Sequence, residues 1–485
     1  MNVIKQIVTR FLLFIVFSTI MSVSSFGNND IIIAGKIEHS ESFLANIKFF
    51  KDHLEEEEIF VGGILDEEDN FRVQFKILHS TLIRVEHGIN KIELYLEPGD
   101  SIHIYFDNWD FDKNLKFTGE VRPVQQNMYL RGLKKEMQSY LSDNNAMRFF
   151  RDLNEMAYQE HAEMVRKKQI QFLKEYQKKT VFSPSFQNYA LSEIEYSWAA
   201  SLLNYPAYNQ FFNNLESPIF LDEKYYKFLK TINYNELLDL NSLAFRNFLD
   251  AFINYQLEHI ENPTNVLHRY FYKNRINTIK SYLSGGTLDY MLAKTFISAY
   301  QRGQLYDLAR DVEVFLMSDA LASYKDVIDE FYKLASTLRP GQDAPNFKLE
   351  ALDGKMISLT DLRGKVLYID FWTTWCGPCK TEMNHSKLIK ENFSETEVVF
   401  VYISLDDEID KDIWKEYIQQ NEIKGLHLIA SGGFKSQVAK DYNVTGVPTF
   451  YLINKDGKIA SNTPKRPSQL GLEQEIQAIV NFSGD

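Results

Sequence analysis

The sequence predicts a multidomain protein built in series: an N-terminal antiparallel β domain, a central α-helical region and a C-terminal α/β domain. Three observations predict it. Apolar residues alternate with period two over 28–120, recur at spacings of three and four over 121–337, and form short strand runs between helical stretches over 338–485. The length of 485 residues agrees, since a domain takes roughly 150 residues. Hydrophobic residues at 45% and charged residues at 25% are ordinary for a globular chain, which excludes wholesale disorder and collagen-like structure. The net charge is -13 and no Lys/Arg-dense block occurs, so nucleic acid is not an expected partner.

Residues 1–27 read as a signal peptide. Lys5 and Arg10 supply a positive start, Phe11 to Val23 is an apolar run too short to span a bilayer comfortably, and Ser25-Phe26-Gly27 offers a small-residue cleavage site before Asn28. The expectation is export across the inner membrane to the periplasm; the alternative is an uncleaved N-terminal membrane anchor. A lipoprotein would need a cysteine at the cleavage site, and none is there.

The β domain, 28–120, rests on Ile31–Ile33, Ala45–Phe49, Phe71–Phe75 and Ile92–Leu96, separated by turn signals such as Asp69-Asn70 and Pro98-Gly99-Asp100. These point to an antiparallel sandwich or open barrel. Glu55 to Glu58 reads as a solvated hairpin tip, with an acidic contact patch as the alternative. The helical region, 121–337, carries apolar positions such as Met128, Leu130, Leu133 and Met137, with helix breaks expected near Pro184, Pro206, Pro218 and Pro263. Its Tyr/Phe crowding, as in Tyr225-Tyr226 and Tyr270-Phe271-Tyr272, reads as helix-bundle core; a grip for a hydrophobic peptide is the alternative. A boundary is expected at Leu338–Asp343. Beyond it, Val366–Trp372, Val398–Leu405, Thr449–Ile453 and Lys458–Ala460 read as strands.

The two cysteines of the chain, Cys376 and Cys379, stand in Cys-Gly-Pro-Cys directly after the first of these strands and at the start of a helix. The unpaired N–H groups and dipole of a helix N-terminus favour an anion. The Cys376 thiolate is therefore the expected nucleophile, and thioredoxin-type sites lower such a thiol from about 8.5 to about 7. Cys379, one turn on, would attack second: Cys376 forms a mixed disulfide with substrate and Cys379 resolves it. A four-cysteine zinc site lacks its second pair. Haem attachment would need a histidine where Lys380 stands, and a peroxiredoxin-like site a proline where Ile369 stands. Neither a metal nor another cofactor is expected.

The C-terminal part resembles the periplasmic TlpA/ResA-type branch of the thioredoxin superfamily. The resemblance covers 338–485 and rests on several segments together. Ala344-Pro345-Asn346-Phe347 and Asp353-Gly354-Lys355 look like the lead-in hairpin, and Leu359 to Lys365 like the approach to the central strand. Trp372, Trp375-Cys376-Gly377-Pro378-Cys379 and Val444-Thr445-Gly446-Val447-Pro448-Thr449 complete it. It implies a C-terminal α/β thioredoxin fold and a cis Pro448, with substrate contacts at Trp375, Gly377, Pro378, Val447 and Pro448. It also implies two carboxylates. Asp370 matches the buried acid that takes a proton from the second cysteine, and Glu382 matches the active-site glutamate of the branch; an exposed helix glutamate is the alternative for Glu382. The chain departs from thioredoxin in two places. Asn384 stands where a helix proline is usual, and the lysine that partners the buried acid has no match in Val401–Ser404. His385 reads as a surface residue. Residues 31–106 resemble, more weakly, the β domain that precedes TlpA-like domains in secreted proteins of Bacteroidetes-type bacteria.

The resemblance implies a thiol-disulfide oxidoreductase. With thioredoxin at about -270 mV as the guide, the expected direction is reduction of protein disulfides. Electrons would come from a membrane donor of the thiol-relay type. Cytochrome c maturation and general disulfide repair are the family roles. The alternative is an envelope polypeptide-binding protein in which 28–337 captures a partner and the dithiol only senses or anchors.

Overall fold

The alternating segments near the N-terminus form eight strands in two four-stranded sheets. One sheet has the order β4-β1-β7-β8, built from Asn70–Lys76, Asp30–Glu38, Ser101–Asp107 and Lys116–Gly119. The other has the order β3-β2-β5-β6, from Glu58–Ile64, Leu44–Phe50, Thr81–His87 and Asn90–Leu96. The structure, a computed structural model, describes residues 30–55, 58–217, 219–235, 240–260 and 270–481. The expected signal peptide, Pro218 and Pro263 lie outside the described residues. Inward residues such as Ile33, Ile47, Val85, Leu94 and Ile104 form one core between the sheets, as period-two patterning requires.

The expectation of a purely antiparallel domain needs one correction, because β1 pairs with β7 in parallel. The chain leaves β1, builds the second sheet with β2, β3, β5 and β6, and returns to β1's open side running the same way. Gly35 marks this pairing. It stands opposite Ile104, and a Cβ there would sit 2.1 Å from the Ile104 carbonyl oxygen. Gly35→Ala is therefore expected to destabilise this domain by about 2–3 kcal/mol through overpacking. Calorimetry of the full chain should show one transition moving several degrees down, with the dithiol's reactivity unchanged; an unmoved transition would remove the argument.

Three long helices follow in the same unit, Val121–Glu136, Glu155–Gln177 and Pro184–Phe212. The first does not use the expected apolar stripe throughout: Met128 is exposed, whereas Gln126, Asn127 and Tyr129 are buried. Its Asn127 amide accepts from the backbone N–H of Tyr95 at 2.8 Å and donates to the Tyr95 carbonyl at 2.9 Å. A polar side chain thus replaces a missing neighbour for edge strand β6. Pro184 starts its helix, but Pro206 lies inside it, contrary to the expected break. Pro206 has no N–H to give the carbonyl four residues back, on Leu202. The Tyr225 hydroxyl supplies that hydrogen bond at 3.1 Å. Tyr225 sits in a core cluster with Tyr158 and Tyr205, so this part of the aromatic crowding is bundle core. Of the Glu55 to Glu58 run, Glu56 and Glu57 lie outside the described residues, and Glu55 carries an ion pair to Arg246.

The chain divides into two compact units, one of residues up to 232 with 238–251, the other of 233–237 with 252 onward. The division falls inside the Leu243–Ile260 helix, so the helical region is shared between them. In the second unit the helices Phe271–Tyr282, Gly285–Gln301 and Ala322–Thr337 accompany a seven-stranded sheet of order β10-β9-β13-β12-β11-β14-β15. Asn443 and Asn462 tie loops of that sheet to the carbonyls of Tyr300 and Gly303. The strands are Lys348–Ala351 (β9), Met356–Ser358 (β10), Val366–Trp372 (β11), Val398–Ser404 (β12), Leu426–Ile429 (β13), Thr449–Ile453 (β14) and Ile459–Ser461 (β15). β11 is parallel to β12 on one side and antiparallel to β14 on the other. All of its residues are buried, which explains its unbroken apolar run. Among the described residues, no helix is long and apolar enough to cross a membrane.

Candidate active site

Alternation along β11 decides which side chains reach the site. Leu367, Ile369 and Phe371 belong to the core on one face of the sheet. Tyr368 and Trp372 belong to the core on the other face, together with Cys376 and Cys379. Asp370 lies between them in the alternation and so points to the dithiol face. It is 2% exposed and its Oδ1 has no hydrogen-bond partner. Burial drives its carboxyl well above the usual carboxylate range; the Glu382 charge pushes the same way and Lys390 pulls back.

After Trp372 the chain turns and starts the helix Gly377–Lys390. Cys376 is its N-cap: the Sγ accepts from the Cys379 N–H at 3.1 Å. Pro378 occupies the first turn, where its missing N–H costs nothing. The two sulfurs are joined as a disulfide with the Cα atoms 5.3 Å apart. Both cysteines are buried, while Trp375, Gly377 and Pro378 beside them are exposed. The Val447–Pro448 bond is cis, and Val447 packs on the same core as the cysteines. No group of three or more His, Cys, Asp or Glu among the described residues is placed to hold a metal.

Glu382 is not the exposed helix glutamate of the alternative reading. It is buried, and both carboxylate oxygens are engaged by one distant residue. Oε2 accepts from the Ser468 N–H at 2.9 Å and Oε1 from the Ser468 hydroxyl at 2.8 Å. His385 is exposed.

Sequence reasoning missed five contributors. Ser468 holds Glu382 from 86 residues away. Asp406 is buried past the end of β12 and accepts from the Thr374 N–H at 2.9 Å and the Thr374 hydroxyl at 2.8 Å, fixing the turn into the dithiol. Ser404 in turn donates to Asp406 at 2.7 Å. An acid just beyond a buried strand, in Ser404-Leu405-Asp406, was the available signal. Tyr402 and Lys390 are the other two. Residues 401–404 hold no basic side chain; the cation acting on the Asp370 charge is Lys390, in the last turn of the dithiol helix.

A sequence model of the AhpC/TSA family matches residues 340–462. The thiol-disulfide oxidoreductase ResA of Bacillus cereus (strain ATCC 10987 / NRS 248) is 32% identical over 150 residues, 31% of this chain and 84% of that protein. ResA of Bacillus thuringiensis subsp. konkukian (strain 97-27) is 34% identical over 140 residues, 29% of this chain and 78% of that one. Among solved structures, a thiol-disulfide oxidoreductase from Bacteroides fragilis NCTC 9343 aligns at 28% identity, covering 27% of this chain and 93% of that one, with a TM-score of 0.24.

Proposed function

From the premise that the chain belongs to the ResA family of thiol-disulfide oxidoreductases, we propose that it reduces protein disulfides in the periplasm through a mixed disulfide on Cys376. One observation carries this reading: Cys376 caps the helix with its sulfur facing the Cys379 N–H, an arrangement that favours a thiolate there.

The steps balance as follows. In the reduced enzyme the Cys376 thiolate attacks one sulfur of a substrate disulfide. The substrate S–S bond breaks, and the departing thiolate takes a proton from solvent. Cys379 then loses its proton to Asp370 and attacks the Cys376 sulfur. The bond from Cys376 to substrate breaks, the second substrate sulfur leaves as a thiolate that takes a proton from solvent, Asp370 gives its proton back to solvent, and the enzyme holds the Cys376–Cys379 disulfide seen here. Two electrons have gone to substrate, so a membrane donor of the thiol-relay type must restore the dithiol. Exposed Trp375, Gly377 and Pro378 with the cis-Pro448 loop form the docking rim. There the Val447 backbone pairs with an extended peptide, which suits varied substrates. Apocytochrome c is a fitting substrate, and the apolar run 11–23 after Lys5 and Arg10 supports the compartment.

Cys379→Ala, expressed in the native envelope, tests this. Without the resolving thiol, defined partners should accumulate as mixed disulfides on Cys376, and apocytochromes among them would point to cytochrome maturation. An empty trap with Cys376 still open to alkylation would overturn the reading.

A further inference from the structure

Three strands of the central sheet set titratable side chains in one transverse row. Asp370 on β11 is in register with Tyr402 on β12, and Tyr402 with His427 on β13. Residues in register on parallel strands project to the same face, which here is the face of the dithiol helix. The Tyr402 and His427 rings stack with centroids 4.9 Å apart. His427 Nε2 faces the Ile423 carbonyl at 2.7 Å, and its Nδ1 has no partner, like Asp370 Oδ1.

The helix lies over this row. Cys379, Glu382, Met383 and Ser386 are its buried residues, at the spacing of one helix face, and Lys390 continues that face. The Ser386 and Tyr402 hydroxyls are 2.8 Å apart. Lys390 Nζ donates to the Tyr402 hydroxyl at 2.9 Å and to the Lys424 carbonyl at 2.7 Å. The ammonium is thereby held inward, between a buried phenol and the surface.

The geometry points to Lys390 as the positioning residue that sets when Asp370 gives up its proton, acting from the far end of the dithiol helix with the Tyr402 hydroxyl as its anchor. This rests on the proposed reductase reading, in which the Cys379 S–H bond breaks and Asp370 receives the proton. A buried carboxyl beside Glu382 stays protonated and cannot accept unless a cation faces it. The groups acting on Asp370 and its neighbours come from every side. Glu382 repels its charge and Lys390 attracts it. Tyr368 and Tyr402 both feel the Asp370 charge. Lys387 and Lys424 act on Lys390, and Lys390 acts on His427. Burial brings Lys390 itself down to about 8, so it still carries its charge at neutral pH.

The test is a carbon-13 carboxyl titration of the oxidised full chain, with the Asp370 signal identified by its loss in Asp370→Asn. Lys390→Met should move the Asp370 midpoint up by about one pH unit or more, the scale of one nearby opposite charge. Lys390→Arg should restore it, and Lys387→Met, at an exposed position of the same helix end, should not move it. Tyr402→Phe should move it in the same direction as Lys390→Met. In the reduced enzyme the acidic limb of the turnover profile should follow. A Lys390→Met or Tyr402→Phe titration that superposes on the native one overturns the inference. The oxidised protein titrates without substrate. An empty Cys379→Ala trap would therefore sink the reductase reading and leave this result untouched.

Discussion

Cys376→Ser is expected to lower disulfide-reductase turnover by about 10⁴-fold or more while leaving the fold intact. The magnitude follows from the proposed mechanism, in which every electron passed to substrate must first cross a bond to this sulfur. A hydroxyl at the same place has a far higher pKa and is not a thiol-disulfide nucleophile. Losing a nucleophile removes the whole covalent route rather than one contribution to it. The fold should survive because the side chain also caps the helix, accepting from the Cys379 N–H, and serine is among the best residues for that task. The fair comparison is with the reduced native protein, since the variant cannot close the disulfide. Cys379→Ala supplies the contrast, retaining a single stoichiometric reaction that ends on Cys376. Turnover of a protein disulfide with regenerating reductant measures the first variant, and thermal unfolding checks its fold. Activity within tenfold of native would mean that Cys376 is not the attacking residue.

What was legible in the sequence was what local pattern writes. Cys-Gly-Pro-Cys after an apolar strand specified the helix start, and Asp370 inside that strand announced itself as an acid in an unbroken hydrophobic run. The strand limits Val366–Trp372 and Thr449–Ile453, read from short apolar runs, coincide with the structure. What stayed hidden depends on chain segments far apart. Ser468 closes on Glu382 across 86 residues, and nothing near Glu382 signals it. Lys390 carries no signal of its own, because its position reads as an ordinary basic residue in a helix's last turn, where it suits the dipole. Only the register of β11 with β12 puts Tyr402 beneath it. Pro206 reads as a helix break for the same reason, as the Tyr225 hydroxyl that satisfies Leu202 lies 23 residues on.

Asp370→Asn should make the protein more stable and a slower enzyme, and both effects should depend on pH. In an unfolded chain this carboxyl gives up its proton near pH 3.9. In the folded protein burial, reinforced by Glu382, holds the proton to a far higher pH. Between the two values the folded state binds more protons than the unfolded state, so stability falls as pH rises through that window. Each pH unit inside it costs the native protein about 1.4 kcal/mol. Asparagine has the same shape as the protonated acid and cannot ionise. The two proteins should therefore unfold at similar temperatures near pH 4. With rising pH the variant should then lead, by about 3–6 °C for each pH unit for a unit of this size, until the Asp370 midpoint is passed. Parallel pH slopes would show that Asp370 is not protonated in the native fold. The cost appears in the second step of turnover. Above the Asp370 midpoint, where the ionised carboxylate can take the Cys379 proton, its loss should slow resolution by about 10²-fold, while the first attack by Cys376 keeps its rate. Mixed disulfide would then build up in the variant during turnover. On the proposed mechanism the same carboxyl that weakens the fold would let Cys379 act, and rapid-quench measurement of the two steps separates that role from a general loss of structure, which would slow both.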